Sequence, residues 1–144
     1  MAGSSMTFTY DDGYDGTGRP CSIRKIIADW VSDDAAGTAS GTTRKIVGRL
    51  IKIVTDPGSA APTDNYDVTI VDAKSVNVVS GCQNVADLGT RHTTTTQETY
   101  LYLENADDTP IGTSLFPVVC DALTIGIANA GNSKTGQIIL YYEV

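Results

Sequence analysis

The residues best suited to acid–base or metal chemistry are few and lie in turn-like segments. His92 is the single histidine and lies in a Thr-rich polar segment between Arg91 and Thr93. A general base needs a positioned partner and a nucleophile, and no G-x-S-x-G motif supplies one. Asp11, Asp12 and Asp15 precede a glycine, but Ser22 stands where a calcium loop needs a bidentate glutamate. These patterns favour solvated loop residues, so we expect no enzyme activity and no cofactor.

The three cysteines, Cys21, Cys82 and Cys120, are far apart and show no C-x-x-C pairing, which disfavours zinc. Two interpretations stay open. Either all of them are reduced thiols, as is usual in cytosolic proteins, or the odd count supplies an intermolecular disulfide that crosslinks an assembly. The sequence thus makes these cysteines candidates for a bond between subunits.

Tyrosines are the side chains that best suit binding. Tyr100, Tyr102 and Tyr141 lie in segments where polar and apolar residues alternate, so they are candidates for outward faces of strands. An exposed tyrosine offers a large rigid surface with one polar tip, which suits protein interfaces and sugar stacking. The alternative interpretation is that they are ordinary half-buried strand residues.

The segments that position these residues read as strands. Short apolar runs are separated by clusters of Gly, Asp, Asn and Pro, which is typical of an all-β protein. Residues 23–31 have helical spacing but are rich in Ile and Val, and we predict a strand there. Residues 42–55 form the longest predicted strand, in which Gly48 indicates a bulge or a close backbone approach. Its predicted faces are Ile46, Leu50 and Val54 on one side and Val47, Ile51 and Ile53 on the other.

The end of the chain has the clearest strand pattern. Leu123, Ile125 and Ile127 alternate with small residues, and alternation resumes from Ile138. Turn residues at 129–133 separate the two runs. This combination predicts a terminal β-hairpin.

The length of 144 residues suits one domain. With shorter predicted strands at 6–10, 66–72, 76–79 and 99–104, about eight strands arise, and we expect a two-sheet antiparallel β-sandwich of jelly-roll type. The predicted organisation is a flexible tail at residues 1–5 and a single domain at residues 6–144.

The charge distribution narrows the class of partners. A formal net charge of −7 with scattered Lys and Arg argues against a nucleic-acid partner and against an anionic membrane surface. No apolar run reaches bilayer length, and the first residues lack a charged segment followed by an apolar one. We therefore expect synthesis in the cytoplasm without a signal peptide.

Turn and strand patterns recur at residues 29–37, 48–50, 56–58 with 61–69, 123–131 and 135–142. These segments resemble small structural proteins of tailed bacteriophages, and the resemblance covers roughly residues 22–144. Proteins of this kind are β-sandwich accessories of the virion, attached to the capsid, the neck or the tail. The resemblance offers no catalytic motif to transfer.

The resemblance implies a non-enzymatic virion protein that contacts other virion proteins and forms a homo-oligomer. A capsid decoration or stabilising protein, a neck protein and a tail accessory are all compatible with the sequence. A carbohydrate-binding β-sandwich module is the alternative function, because an outward tyrosine face also suits sugars.

Overall fold

The computed structural model describes residues 3–13, 17–19, 21–79, 94–101 and 116–144. These residues contain strands and no helix, which confirms the all-β prediction for them, and none of them forms a membrane-spanning helix. The strands are β1 (Ser5–Asp11), β2 (Ile23–Val31), β3 (Ala39–Pro57), β4 (Asp67–Val71), β5 (Gln97–Tyr100), β6 (Val118–Ala128) and β7 (Thr135–Glu143).

These seven strands belong to one antiparallel hydrogen-bonded sheet. The order is β1-β2-β7-β3-β6-β4, and β5 also pairs with β3. The N-terminal half of β3 pairs with β6, whereas its C-terminal half lies between β7 and β5. Arg49 pairs with Val118 on one side and with Glu143 on the other, so β6 and β7 lie along opposite edges of β3.

β3 is bent back on itself. A straight strand of its 19 residues would be about 60 Å long. Yet β6 ends beside the first residue of β3 and β7 begins beside its last, and the connecting residues 129–134 reach at most about 25 Å. Hydrogen bonds from Ala130 N to the Gly37 carbonyl and from Gly58 N to the Thr135 carbonyl hold both ends of β3 at this connection.

Gly48 lies where β3 passes from its pairing with β6 to its pairing with β7. Its φ of 155° is a conformation that side chains with a Cβ rarely adopt. A Cβ at this position would collide with the carbonyl oxygen of Glu143. The prediction of a close backbone approach at Gly48 is therefore confirmed.

A bulge two residues later changes the predicted faces of β3. The register shifts between Leu50 and Lys52, so two residues of β3 stand opposite one residue of β7. Ile53 consequently joins Leu50 in the core, while Lys52 and Val54 lie on the other side of the strand, where Val54 is covered and only 7% exposed. The predicted alternation is wrong from Ile51 onward, because strict alternation places Leu50 and Ile53 on different faces of β3.

The predicted terminal hairpin is also wrong. β6 and β7 follow one another in sequence, but β3 lies between them and they do not pair. Asn129, Gly131 and Ser133 have positive φ in their connection. Backbone hydrogen bonds of this connection go to the loops at residues 33–37 and 58–63. Alternation thus identified two strands but not their partners.

The buried side chains form one core that joins both ends of the bent sheet. The Trp30 ring of β2 lies 5.7 Å from the Tyr66 ring, which precedes β4. Met6 and Phe8 of β1 pack at Gly41, in the N-terminal half of β3, where a Cβ would crowd them. The largest fully buried side chains are Trp30, Tyr66, Ile26, Leu50, Ile53, Ile70, Leu101, Leu123, Ile125, Ile138 and Leu140.

Two shorter segments gave opposite outcomes. Residues 23–31 form β2, which confirms a strand over a helix. Residues 76–79 do not form the predicted strand. Their pairing is limited to one isolated β-bridge, between Val71 and Asn77. The Asp72 carboxylate accepts backbone N–H groups in the preceding turn, and this local hydrogen bonding competes with strand pairing.

Candidate functional site

A row of charged and aromatic side chains crosses the outer side of β2, β7, β3 and β5. The register places Lys25 beside Tyr141, Tyr141 beside Lys52, and Lys52 beside Tyr100. The alternate positions of β7 are buried in the core, so Tyr141 points outward. We call this outer side the tyrosine face; it comprises this row and the neighbouring row of Ile27, Ile139 and Val54.

Lys52 lies between the two tyrosines. Its Nζ is 4.5 Å from the Tyr141 ring centre and 5.5 Å from the Tyr100 ring centre, within the range of cation–π attraction. Lys52 also donates a hydrogen bond of 3.1 Å to Glu98 Oε1, and this bond raises the pKa of Lys52. The amine is therefore held as a cation over both rings.

An aliphatic row lies two residues along the strands from the tyrosines. Ile27 pairs with Ile139, and Ile139 pairs with Val54. Ile27 and Ile139 are half-buried although their neighbours in sequence fill the core, and Tyr100 is 52% exposed. Val54 is buried, so the partly exposed apolar surface of this row comes from the two isoleucines.

Ion pairs border these two rows. Lys25 Nζ lies 3.6 Å from Asp11 Oδ2, and Arg49 Nη2 lies 2.8 Å from Glu143 Oε2. Exposed pairs of this kind contribute about 0–1 kcal/mol to stability. Their main effect here is to neutralise charge beside the apolar row.

The outer side of the N-terminal half of β3, β6 and β4 has a different composition. It carries Ser40 and Thr42 of β3, Thr124 and Gly126 of β6, and Thr69 of β4. The hydroxyl oxygens of Thr42 and Thr124 lie 2.9 Å apart and share a hydrogen bond. We call this polar part of the outer side the hydroxyl face; towards the start of β6 the same side carries the exposed apolar residues Val47 and Val118.

Two of the predicted interface tyrosines, Tyr100 and Tyr141, come together on the tyrosine face. Tyr102 lies outside the described residues. Sequence reasoning missed Lys52, because its side of the sheet depends on the bulge at Ile51. The sequence does contain a signal for the bulge. In residues 50–54 the apolar side chains do not keep to alternate positions, as they would in a regular strand with one buried face.

The cysteines are not brought together among the described residues. Cys21 is a half-buried free thiol before β2, and Cys120 is an exposed free thiol on β6. Cys120 pairs across the sheet with Val47, which is 54% exposed. Cys82 lies outside the described residues. A disulfide between subunits stays a prediction.

The aspartates near the N-terminus bind cations of the protein itself. Asp12 accepts a hydrogen bond from Arg44, and this bond lowers the pKa of Asp12. Asp11 pairs with a lysine of β2, while Asp15 and His92 lie outside the described residues. Within the described part of the chain, no three His, Cys, Asp or Glu side chains cluster as metal ligands.

Comparison with known proteins gives no match to a family model, a curated protein or a solved structure. The functional argument therefore depends on the geometry of the two outer faces.

Proposed function

We propose that this chain is a non-enzymatic structural protein of a tailed-phage virion, a capsid decoration or stabilising protein or a neck or tail accessory. The tyrosine face is the observation that carries the proposal. Tyrosine is one of the residues enriched at the centres of protein interfaces. The resemblance of residues 29–37 and 123–131 to phage structural proteins makes the virion the assembly concerned.

We also infer that the bent sheet forms a two-layer sandwich. One layer contains β1, β2, β7, β5 and the C-terminal half of β3. The other layer contains β6, β4 and the N-terminal half of β3. The shared connection at both ends of β3 supports this inference, as does the contact of Trp30 with Tyr66. Such a rigid block can bridge neighbouring subunits of a shell. The jelly-roll arrangement stays a prediction.

Carbohydrate binding is the second candidate function, and the paired Tyr100 and Tyr141 are the observation that favours it. A sugar stacks on an uncovered aromatic ring. Here the Lys52 amine lies within 5.5 Å of both ring centres, so a sugar that stacked on either ring would meet a cation beside it. We therefore favour a protein contact. A glycan array that yields a specific ligand, lost in Tyr141→Ala, would favour the sugar instead.

The virion proposal is tested in particles purified from cells that make the chain. Mass spectrometry should find the chain in them at a fixed copy number. The double variant Tyr100→Ala/Tyr141→Ala should lower its affinity for the particle about tenfold or more, since truncated hot-spot residues lose about 1.4 kcal/mol or more. The control variant, Thr42→Ala/Thr124→Ala on the hydroxyl face, should bind the particle with unchanged affinity. A chain that stays a free monomer, absent from particles, would contradict the proposal.

A further inference from the structure

The tyrosine face ends in a groove of about 530 Å³ beside the start of β7. Asp29, Gln137 and Asp56 line it and are neighbours across β2, β7 and β3. The two aspartates belong to strands two apart, so their Cα atoms are separated by about 10 Å. The groove thus places two carboxylates on either side of one amide.

These two carboxylates differ from the other acids of the same face. The other three each form an ion pair with a Lys or Arg. Asp29 instead accepts a hydrogen bond of 2.6 Å from Gln137 Nε2, and Asp56 accepts one of 2.6 Å from the Thr96 hydroxyl. None of the ion pairs found among the described residues includes Asp29 or Asp56. The groove therefore carries two negative charges that a cation from outside can neutralise.

The chemistry of the groove suits a side-chain cation better than a metal ion. Calcium needs six to eight oxygen ligands, and the described residues hold no cluster of three acidic, His or Cys ligands. A guanidinium or ammonium group at the end of an aliphatic stem can reach both carboxylates. Its stem would then lie on Ile27 and Ile139, two residues along the strands.

We propose that the groove receives an arginine or lysine from a basic, partly apolar segment of the partner protein. The cation lies between Asp29 and Asp56, and the rest of the segment covers the aliphatic row and Tyr100. Charge complementarity supports this occupant, because the chain has a net charge of −7 and neither acid has an ion-pair partner in the part of the chain that the structure describes. The inference rests on the proposed function, since it takes the partner to be a protein.

A pair of synthetic peptides tests the inference. One is acetyl-Leu-Arg-Leu-Arg-Leu-amide, and its control carries citrulline in place of arginine, which keeps the shape but removes the charge. Nuclear magnetic resonance of the ¹⁵N-labelled chain reports where each peptide binds. We expect the arginine peptide to shift the Gln137 side-chain amide, and the citrulline peptide to bind at least tenfold more weakly.

Variants of the groove supply the second measurement. Asp29→Asn and Asp56→Asn should each weaken the arginine peptide about threefold or more, and together at least tenfold, because each removes one attractive charge. Asp67→Asn removes the same charge on the hydroxyl face and should leave the affinity unchanged. Thermal unfolding of each variant checks that the fold is intact.

Equal binding of the two peptides, unchanged affinity of the groove variants, or shifts confined to the hydroxyl face would overturn the inference. So would an uncharged oligosaccharide that shifts the same amides and is lost in Asp29→Asn. Particles also separate the two proposals. If Asp29→Asn/Asp56→Asn is incorporated normally while Tyr100→Ala/Tyr141→Ala is lost, the groove inference fails and the proposed function stands.

Discussion

The tyrosine face and the hydroxyl face cover the same core from opposite ends of one bent sheet, yet they present different side chains. The first carries Tyr141, Lys52 and an aliphatic row, whereas the second carries small and hydroxyl side chains such as Thr42 and Thr124. Folding requires only that buried and outer positions alternate along each strand. Apolar residues stand at outer positions in both regions, since Val47 and Val118 beside the hydroxyl face are 54% and 76% exposed. The tyrosine face is distinguished instead by its two tyrosines around Lys52.

The largest expected effect separates the inner from the outer side of β7. Leu140 is fully buried, so Leu140→Ala should lower the free energy of unfolding by about 2–5 kcal/mol. Ile139→Ala, its neighbour on the tyrosine face, should cost about 1 kcal/mol or less. Urea unfolding measures both. Equal losses would contradict the assignment of Ile139 to an outer side.

The glycine between the two halves of β3 gives the next largest effect. Gly48→Ala should lower the free energy of unfolding by about 1–3 kcal/mol, because it adds a Cβ at positive φ against the Glu143 carbonyl. Gly3→Ala is the control, because a Cβ added at Gly3 would have no atom within 4 Å. This variant should change the free energy of unfolding by less than about 0.5 kcal/mol. An unchanged free energy of unfolding in Gly48→Ala would contradict the close approach of Gly48 to the Glu143 carbonyl.

A double-mutant cycle measures the contact that distinguishes the tyrosine face. Lys52 and Tyr141 should be coupled by about 0.5–1 kcal/mol, the usual size of an exposed cation–π contact. The control cycle pairs Lys52 with Thr124 on the hydroxyl face and should give a coupling near zero. If both cycles give zero, Lys52 does not lie over the Tyr141 ring in solution.

The smallest effect concerns the loop between β2 and β3, which joins the two outer faces. The Thr38 hydroxyl and the backbone N–H groups of residues 35–37 lower the pKa of Asp33 from 3.8 to about 2. A lowered folded-state pKa stabilises the fold above pH 3.8, and this contribution is lost as pH falls towards 2.

Asp33→Asn should therefore be less stable than the natural chain at neutral pH, and the gap should narrow between pH 3.8 and pH 2. Chemical unfolding followed across this range measures the gap. A gap that does not change with pH would contradict the role of the Asp33 carboxylate.

Alternation of side chains predicted much of the burial but little of the pairing. Val68 and Ile70 of β4 and the inner side of β6 are buried as their pattern predicts. The failure of the β6–β7 hairpin has a physical reason. Strands pair through backbone groups that every residue carries, so the pattern specifies a buried face but not a neighbour.

The candidate site was predictable only in part for the same reason. The sequence predicts Tyr100 and Tyr141 as candidates for outward positions, and in the structure both alternate with buried neighbours, with Tyr141 itself half-buried. Their meeting at Lys52 depends on the bulge at Ile51, and the groove depends on Asp29 and Asp56 flanking one strand. Both arise from contacts between segments far apart in sequence, which a single sequence does not specify.

Electron cryomicroscopy of particles that contain the chain tests the central claim most directly. The account predicts that a neighbouring protein covers Tyr100 and Tyr141, with Thr42 and Thr124 left in solvent. A neighbour seated on Thr42 and Thr124, with both tyrosines facing solvent, would contradict it.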